Sequence, residues 1–139
     1  MKNAIKYGIV IGFLSGFWIL IMHFAGIYDP GYWRSNSNNI GWLEFTSLVI
    51  PAVGLYLGIK NMRKHINKGK MNFFEGILEG FKIMLIGGII SGIFAAIYIQ
   101  YSQITLNIDF MARIAALGIV GILFDIGISL LLMTTPKEL

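Results

Sequence analysis

Any chemistry in this 139-residue chain would rest on very few side chains. There is no cysteine, which excludes thiol nucleophiles, disulfides and thiolate metal sites. Asp125 is the sharpest candidate, inside the apolar run 112–133 and close to its middle. A charged residue at that depth costs about 3 kcal/mol on insertion scales, so it must face other protein, pair, or carry a proton. Such a carboxylate reads first as a hydrogen-bonding link between helices, with a proton or ion pathway and a contact for a partner as the alternatives. His23 lies in the run 5–28. A histidine there can ligate a metal or shuttle protons, yet no second ligand accompanies it. At about 1.5 Å per helical residue it sits roughly 10 Å shallower than Asp125, too far for a direct pair. It reads as an ordinary hydrogen-bonding residue.

Glu44 follows Trp42 at the start of the run 40–59. There it reaches headgroup water and can pair with Arg34 or Arg113, with a recognition role as the alternative. Glu75 and Glu79 stand one helical turn apart. A di-carboxylate metal site needs Glu-x-x-His partners, and the sequence has none. They read as a solvated polar face, with Glu79 and Lys82 an i,i+3 surface pair. No nucleophile–base set is visible, so neither an enzyme nor a cofactor is expected.

The elements that carry these residues follow from composition. Hydrophobic residues are 56% of the chain and charged ones 13%, about half the charge of a soluble domain. Lipid is the solvent such a chain fits. Four runs approach the roughly 20 apolar residues a spanning helix needs: 5–28, 40–59 with Pro51 inside it, 81–101 and 112–133. The first is too long for a secretory leader and has no small-x-small cleavage site. Backbone groups in lipid must be satisfied internally, and none of these runs alternates as barrel strands do. The expected fold is all-α: an integral membrane four-helix bundle. A short interfacial amphipathic helix over 72–80 precedes the third span, opened by an Asn72–Glu75 capping box and striped by Phe73, Phe74, Ile77, Leu78 and Phe81. Pro51 is expected to kink the second span by freeing the Ser47 carbonyl.

Charge distribution sets the orientation. With both termini cytoplasmic, nine lysines and arginines lie inside, against Arg34 and Arg113 outside. Tyr28, Tyr32, Trp33, Trp42 and Tyr101 form the outer aromatic belt. The net charge of +4 is therefore topological, not a nucleic-acid footprint. The basic loop, with Lys60, Arg63, Lys64, Lys68 and Lys70, can also hold anionic lipid headgroups. Membrane lipids are the expected partners, together with a second copy or an unidentified membrane protein.

Gly8, Gly12 and Gly16 form a four-residue ridge, and Gly54–Gly58 and Gly88–Gly92 repeat the spacing. Small residues at this period let helices approach closely. Packing within the chain is the first expectation and a homodimer seam along the first helix the second. At an offset of 76, Gly12 meets Gly88, Ser15 meets Ser91 and Gly16 meets Gly92. Two parallel helical hairpins would explain this; so would chance matching of small residues in apolar helices.

The opening MKNAIKYG, the IGFLSGFWILIM helix, W-L-E-F, the IPAVGLYLGIK run and GKMNFFEGILEGFK, in that order, resemble an uncharacterised four-helix inner-membrane family of Gram-negative bacteria, a domain of unknown function. The resemblance covers about Met1–Lys82. It implies four spans in the bacterial cytoplasmic membrane and no assigned activity or catalytic residue. After Tyr101 the chain departs from it, with only residues 102–111 where the family has a longer charged loop.

Overall fold

The computed structural model describes residues 1–25, 40–102 and 108–134, with side chains for residues 1–22, 24–25, 47–97 and 118–134. The side chains of His23 and Glu44, and Arg34 altogether, lie outside these, as does the side chain of Arg113. The described residues form helices and no strand. They are α1 (Lys2–Phe24), α2 (Ile40–Asn61), α3 (Phe73–Ser102) and α4 (Ile108–Leu132), with a single π turn (Met62–Ile66) continuing from α2. α2 runs unbroken through Pro51.

Residues 72–80 are not a separate interfacial helix. α3 begins at Phe73 and continues for 30 residues without interruption. Nothing between Gly80 and Phe81 breaks the helical hydrogen-bond ladder, and the apolar period carries straight across. The start itself is as the residues dictate: Asn72 N–H donates to Glu75 Oε2 and Glu75 N–H to Asn72 Oδ1, both at 2.9 Å. This reciprocal pair satisfies donors that a helix start leaves orphaned.

Glycine faces set the helix register. A Cβ on Gly8, Gly12 or Gly16 would fall 2.7, 2.6 and 2.5 Å from the side chains of Ile86, Ile90 and Phe94. Each partner lies 78 positions further on, so α1 and α3 run parallel, with backbones drawn together because no Cβ intervenes. Phe94 also meets Phe13 and Phe17, at ring-centroid distances of 5.7 and 5.9 Å. α2 lies antiparallel to α1: Gly54 receives Ile11, and Gly58 receives Tyr7 and Ile83. α4 lies antiparallel to α3: Gly76 receives Ser129, Gly80 receives Asp125 and Gly121 receives Met84. Ala4, Ile11, Leu55 and Ile83 form one buried cluster, and Ile59, Met62, Met71 and Leu132 a second.

Gly88 and Gly92 do not share this role. Among the described residues nothing lies within 4 Å of a Cβ at either. At about 100° per residue they fall on the side of α3 turned away from α1. The glycine face of α1 therefore packs on α3, whereas Gly88 and Gly92 meet no described side chain and do not face α1, so these glycines do not play matching parts in the α1–α3 seam.

The outer surface is apolar. Leu14, Phe17, Ile21, Leu85, Ile89, Ile93, Leu123 and Leu131 are each at least half exposed. Contiguous apolar surface on this scale is foreign to a water-facing monomer. Among the described residues two helical stretches are long and apolar enough to cross a membrane, Lys2–Met22 and Phe73–Ile97; Gly118–Leu132 is apolar but shorter.

Candidate functional site

The helix register gathers polar side chains at one end of the bundle. Asn3, in the first turn of α1, is buried at 7% exposure. Its Nδ2 donates to the Gly58 carbonyl at 3.0 Å and to Glu79 Oε1 at 2.9 Å, while its Oδ1 accepts from Asn61 Nδ2 at 2.8 Å. One amide thereby ties α1 to α2 and α3. Gly58 is what lets Tyr7 and Ile83 come close enough for this. The expectation that Glu79 is solvated is corrected here: the residue is 4% exposed. Its Oε2 faces Lys82 Nζ at 3.8 Å, the i,i+3 pair expected from spacing. Lys82 is 45% exposed, so that pair adds little. Burial of Glu79 is supported by the Asn3 bond, because a hydrogen bond to a buried charged group is worth about 2 kcal/mol.

Asp125 is buried at 4% exposure and faces the bundle interior. It lies level with Gly80, two turns into α3, and so nearer the basic end than the middle of its span. Its carboxylate occupies the place where a Gly80 Cβ would be. Ser129, one turn on and fully buried, donates to Asp125 Oδ1 at 3.4 Å and rests on Gly76. The pairs Gly76–Ser129 and Gly80–Asp125 join α3 to α4 as small and polar residues join spanning helices. Asn3, Asn61, Gly76, Gly80 and Ser129 do not stand out in the sequence. The signal for three of them is the four-residue spacing of Gly76 with Gly80, matched by that of Asp125 with Ser129.

The basic segment lies at the same end. Arg63 Nη1 donates to the Leu132 carbonyl at 3.1 Å, capping α4 where its dipole favours a cation. Lys60 lies over the Tyr56 ring, 5.1 Å from its centroid. Lys64, Lys68 and Lys70 are exposed. The turn is held by backbone bonds from Asn67 to the Met62 carbonyl, Gly69 to the Arg63 carbonyl and Lys70 to the Asn67 carbonyl. Thr134 Oγ1 accepts from Met71 N–H at 2.8 Å and fastens the turn to the end of α4. Gly69 adopts φ 87°, as glycine readily does, but Lys68 adopts φ 50°, a conformation that costs a side-chain-bearing residue about 1–2 kcal/mol. Beside the turn an open pocket of about 320 Å³ is lined by Asn67, Lys70, Met71, Asn72 and Glu75. No group of three or more histidine, aspartate or glutamate side chains that could hold a metal occurs among the described residues.

Helices with apolar exteriors, sealed by glycine contacts and pinned at one end by buried polar groups, define an all-α protein, two of whose helices can cross a membrane. The family model described as "Protein of unknown function (DUF4199)" matches residues 6–119, and the chain belongs to that family. The match extends past Lys82 and past Tyr101 into α4, further than the motifs of the sequence alone reach. No curated protein and no solved structure matches the chain.

Proposed function

We propose that the chain is a four-span, non-enzymatic protein of the bacterial cytoplasmic membrane, with both termini on the cytoplasmic side. On this reading it is an accessory or scaffold subunit that acts through a membrane partner or through lipids. The observation that carries the reading is how the buried polar groups are used. Asn3 bonds to Asn61, to Glu79 and to the Gly58 carbonyl, so these groups fasten helices together instead of lining a path. The apolar exterior of α1 and α3 supports the membrane placement. The parallel run of α1 and α3, with Thr134 bonded to Met71, supports two termini on one side.

The test is extraction of the full chain from native membranes in mild detergent, followed by sizing and mass spectrometry of what accompanies it. A companion protein at fixed stoichiometry is the expected result. A homo-oligomer without companion would contradict the accessory role and favour a second reading, a small oligomeric transporter or channel that uses Asp125. One observation favours that second reading: among the described residues the buried Asp125 carboxylate accepts a single long bond, from Ser129 of its own helix at 3.4 Å. It requires that Asp125→Asn abolish proton-dependent flux in liposomes while leaving folded yield unchanged. Absence of flux in the parent protein would remove it.

A further inference from the structure

We infer that the pocket beside the basic turn binds the phosphate headgroup of an anionic phospholipid, with Lys70 and Lys68 as its cationic contacts. The inference rests on the membrane reading above and names the lipid chemistry that the basic end takes.

Four observations converge. The pocket of about 320 Å³ is bordered by one lysine and two asparagines, Lys70, Asn67 and Asn72, which supply a cation and amide donors to phosphate oxygens. Its carboxylate, Glu75, is already committed to the Asn72 N–H. Among the described residues the one ion pair is Lys82 with Glu79; Lys70 shares the pocket with Glu75 without pairing to it, and the exposed Lys64 and Lys68, next to the lining, leave the turn net positive. The turn is also pinned by hydrogen bonds. Three backbone bonds and the Thr134 contacts hold it, with Lys68 kept in a left-handed conformation where glycine or asparagine is the easier residue. A fixed cationic turn binds an anion without first having to order itself.

A phosphate group can come from a lipid or from a soluble phosphate ester. The flanks favour lipid. Ile66 and Phe74, chain neighbours of Asn67 and Glu75, are each 56% exposed, so exposed apolar side chains flank two of the lining residues in the chain and are available to acyl chains. Basic and apolar side chains mixed at one end of a span match the electrostatics of an anionic leaflet.

The experiment uses the purified full chain in neutral detergent, titrated with phosphatidylglycerol or phosphatidylcholine and followed by native mass spectrometry. Phosphatidylglycerol should bind more tightly. The double variant Lys68→Gln and Lys70→Gln should weaken it about 25-fold, at roughly fivefold per lysine, and leave phosphatidylcholine unchanged. Lys2→Gln with Lys6→Gln should leave both unchanged, and Lys68→Arg with Lys70→Arg should restore binding if the turn folds. Equal affinity for the two lipids, or equal loss in the Lys2 and Lys6 variant, would overturn the site. Displacement of the lipid by glycerol phosphate at matched concentration would overturn a lipid as its occupant. A chain that stays in the soluble fraction before any lipid is added would overturn the membrane reading instead, and with it the inference.

Discussion

Asn3 carries three hydrogen bonds to two other helices, a role that its place beside Lys2 at the start of the chain does not advertise. Removing the amide would leave a buried carboxylate oxygen of Glu79 without its donor, at about 1–3 kcal/mol for an unsatisfied buried group, and would also take away the acceptor of the Asn61 amide. Asn3→Ala should therefore lower the thermal unfolding midpoint in mild detergent, and Asn3→Asp should be at least as harmful because it sets a second carboxylate against Glu79. A midpoint unchanged by Asn3→Ala would show that the amide is not what fastens this end. The burial of Glu79 is hidden in the sequence because it shares a helical stripe with Glu75, which is exposed. What buries Glu79 is α1, 76 positions away, and no local pattern encodes that neighbour. Asp125 is legible as an inward-facing group, since a carboxylate in an apolar run has few other places to go. Its level beside Gly80 is not, because that depends on the stagger between α3 and α4.

At the scale of elements, four apolar helices can be read from residue runs, and their starts and ends follow local chemistry. The Asn72–Glu75 capping box is the clearest case. Asn72→Ala should cost about 1 kcal/mol, seen as a lower unfolding midpoint and faster amide exchange in the first turn of α3; unchanged exchange there would contradict a capping role. The amphipathic stretch read as a short helix before the third span is the first turns of that same helix, and sequence could not decide between the two, because an amphipathic stripe at helical period looks the same whether a helix stops or continues. The glycine spacing is visible, but which glycines pack is not. Gly8, Gly12 and Gly16 meet α3, whereas Gly88 and Gly92 face away from α1, and four-residue periodicity alone cannot separate the two cases. Gly12→Leu should drive a side chain into Ile90 and sharply reduce the folded yield. Gly127→Leu, at an exposed position of α4 where no described atom lies within 4 Å of an added Cβ, should be tolerated. Equal sensitivity at both positions would contradict the assigned register.

At the scale of the whole molecule, the described residues divide between an apolar exterior and one end that gathers the Asn3–Glu79 node, the basic turn and both ends of the described chain. That division underlies the topology, the lipid inference and the proposal of a scaffold without catalysis. Because the chain has no cysteine, single introduced cysteines report sidedness without background. The decisive measurement is labelling of Lys68→Cys and Ser37→Cys proteins by a membrane-impermeant maleimide, in intact cells with the outer membrane made permeable and again after lysis. The four-span account predicts that Ser37→Cys, in the segment joining α1 to α2, labels in intact cells, while Lys68→Cys, in the basic turn, labels only after lysis. Labelling of Lys68→Cys in intact cells, or equal labelling of both sites before lysis, would contradict it.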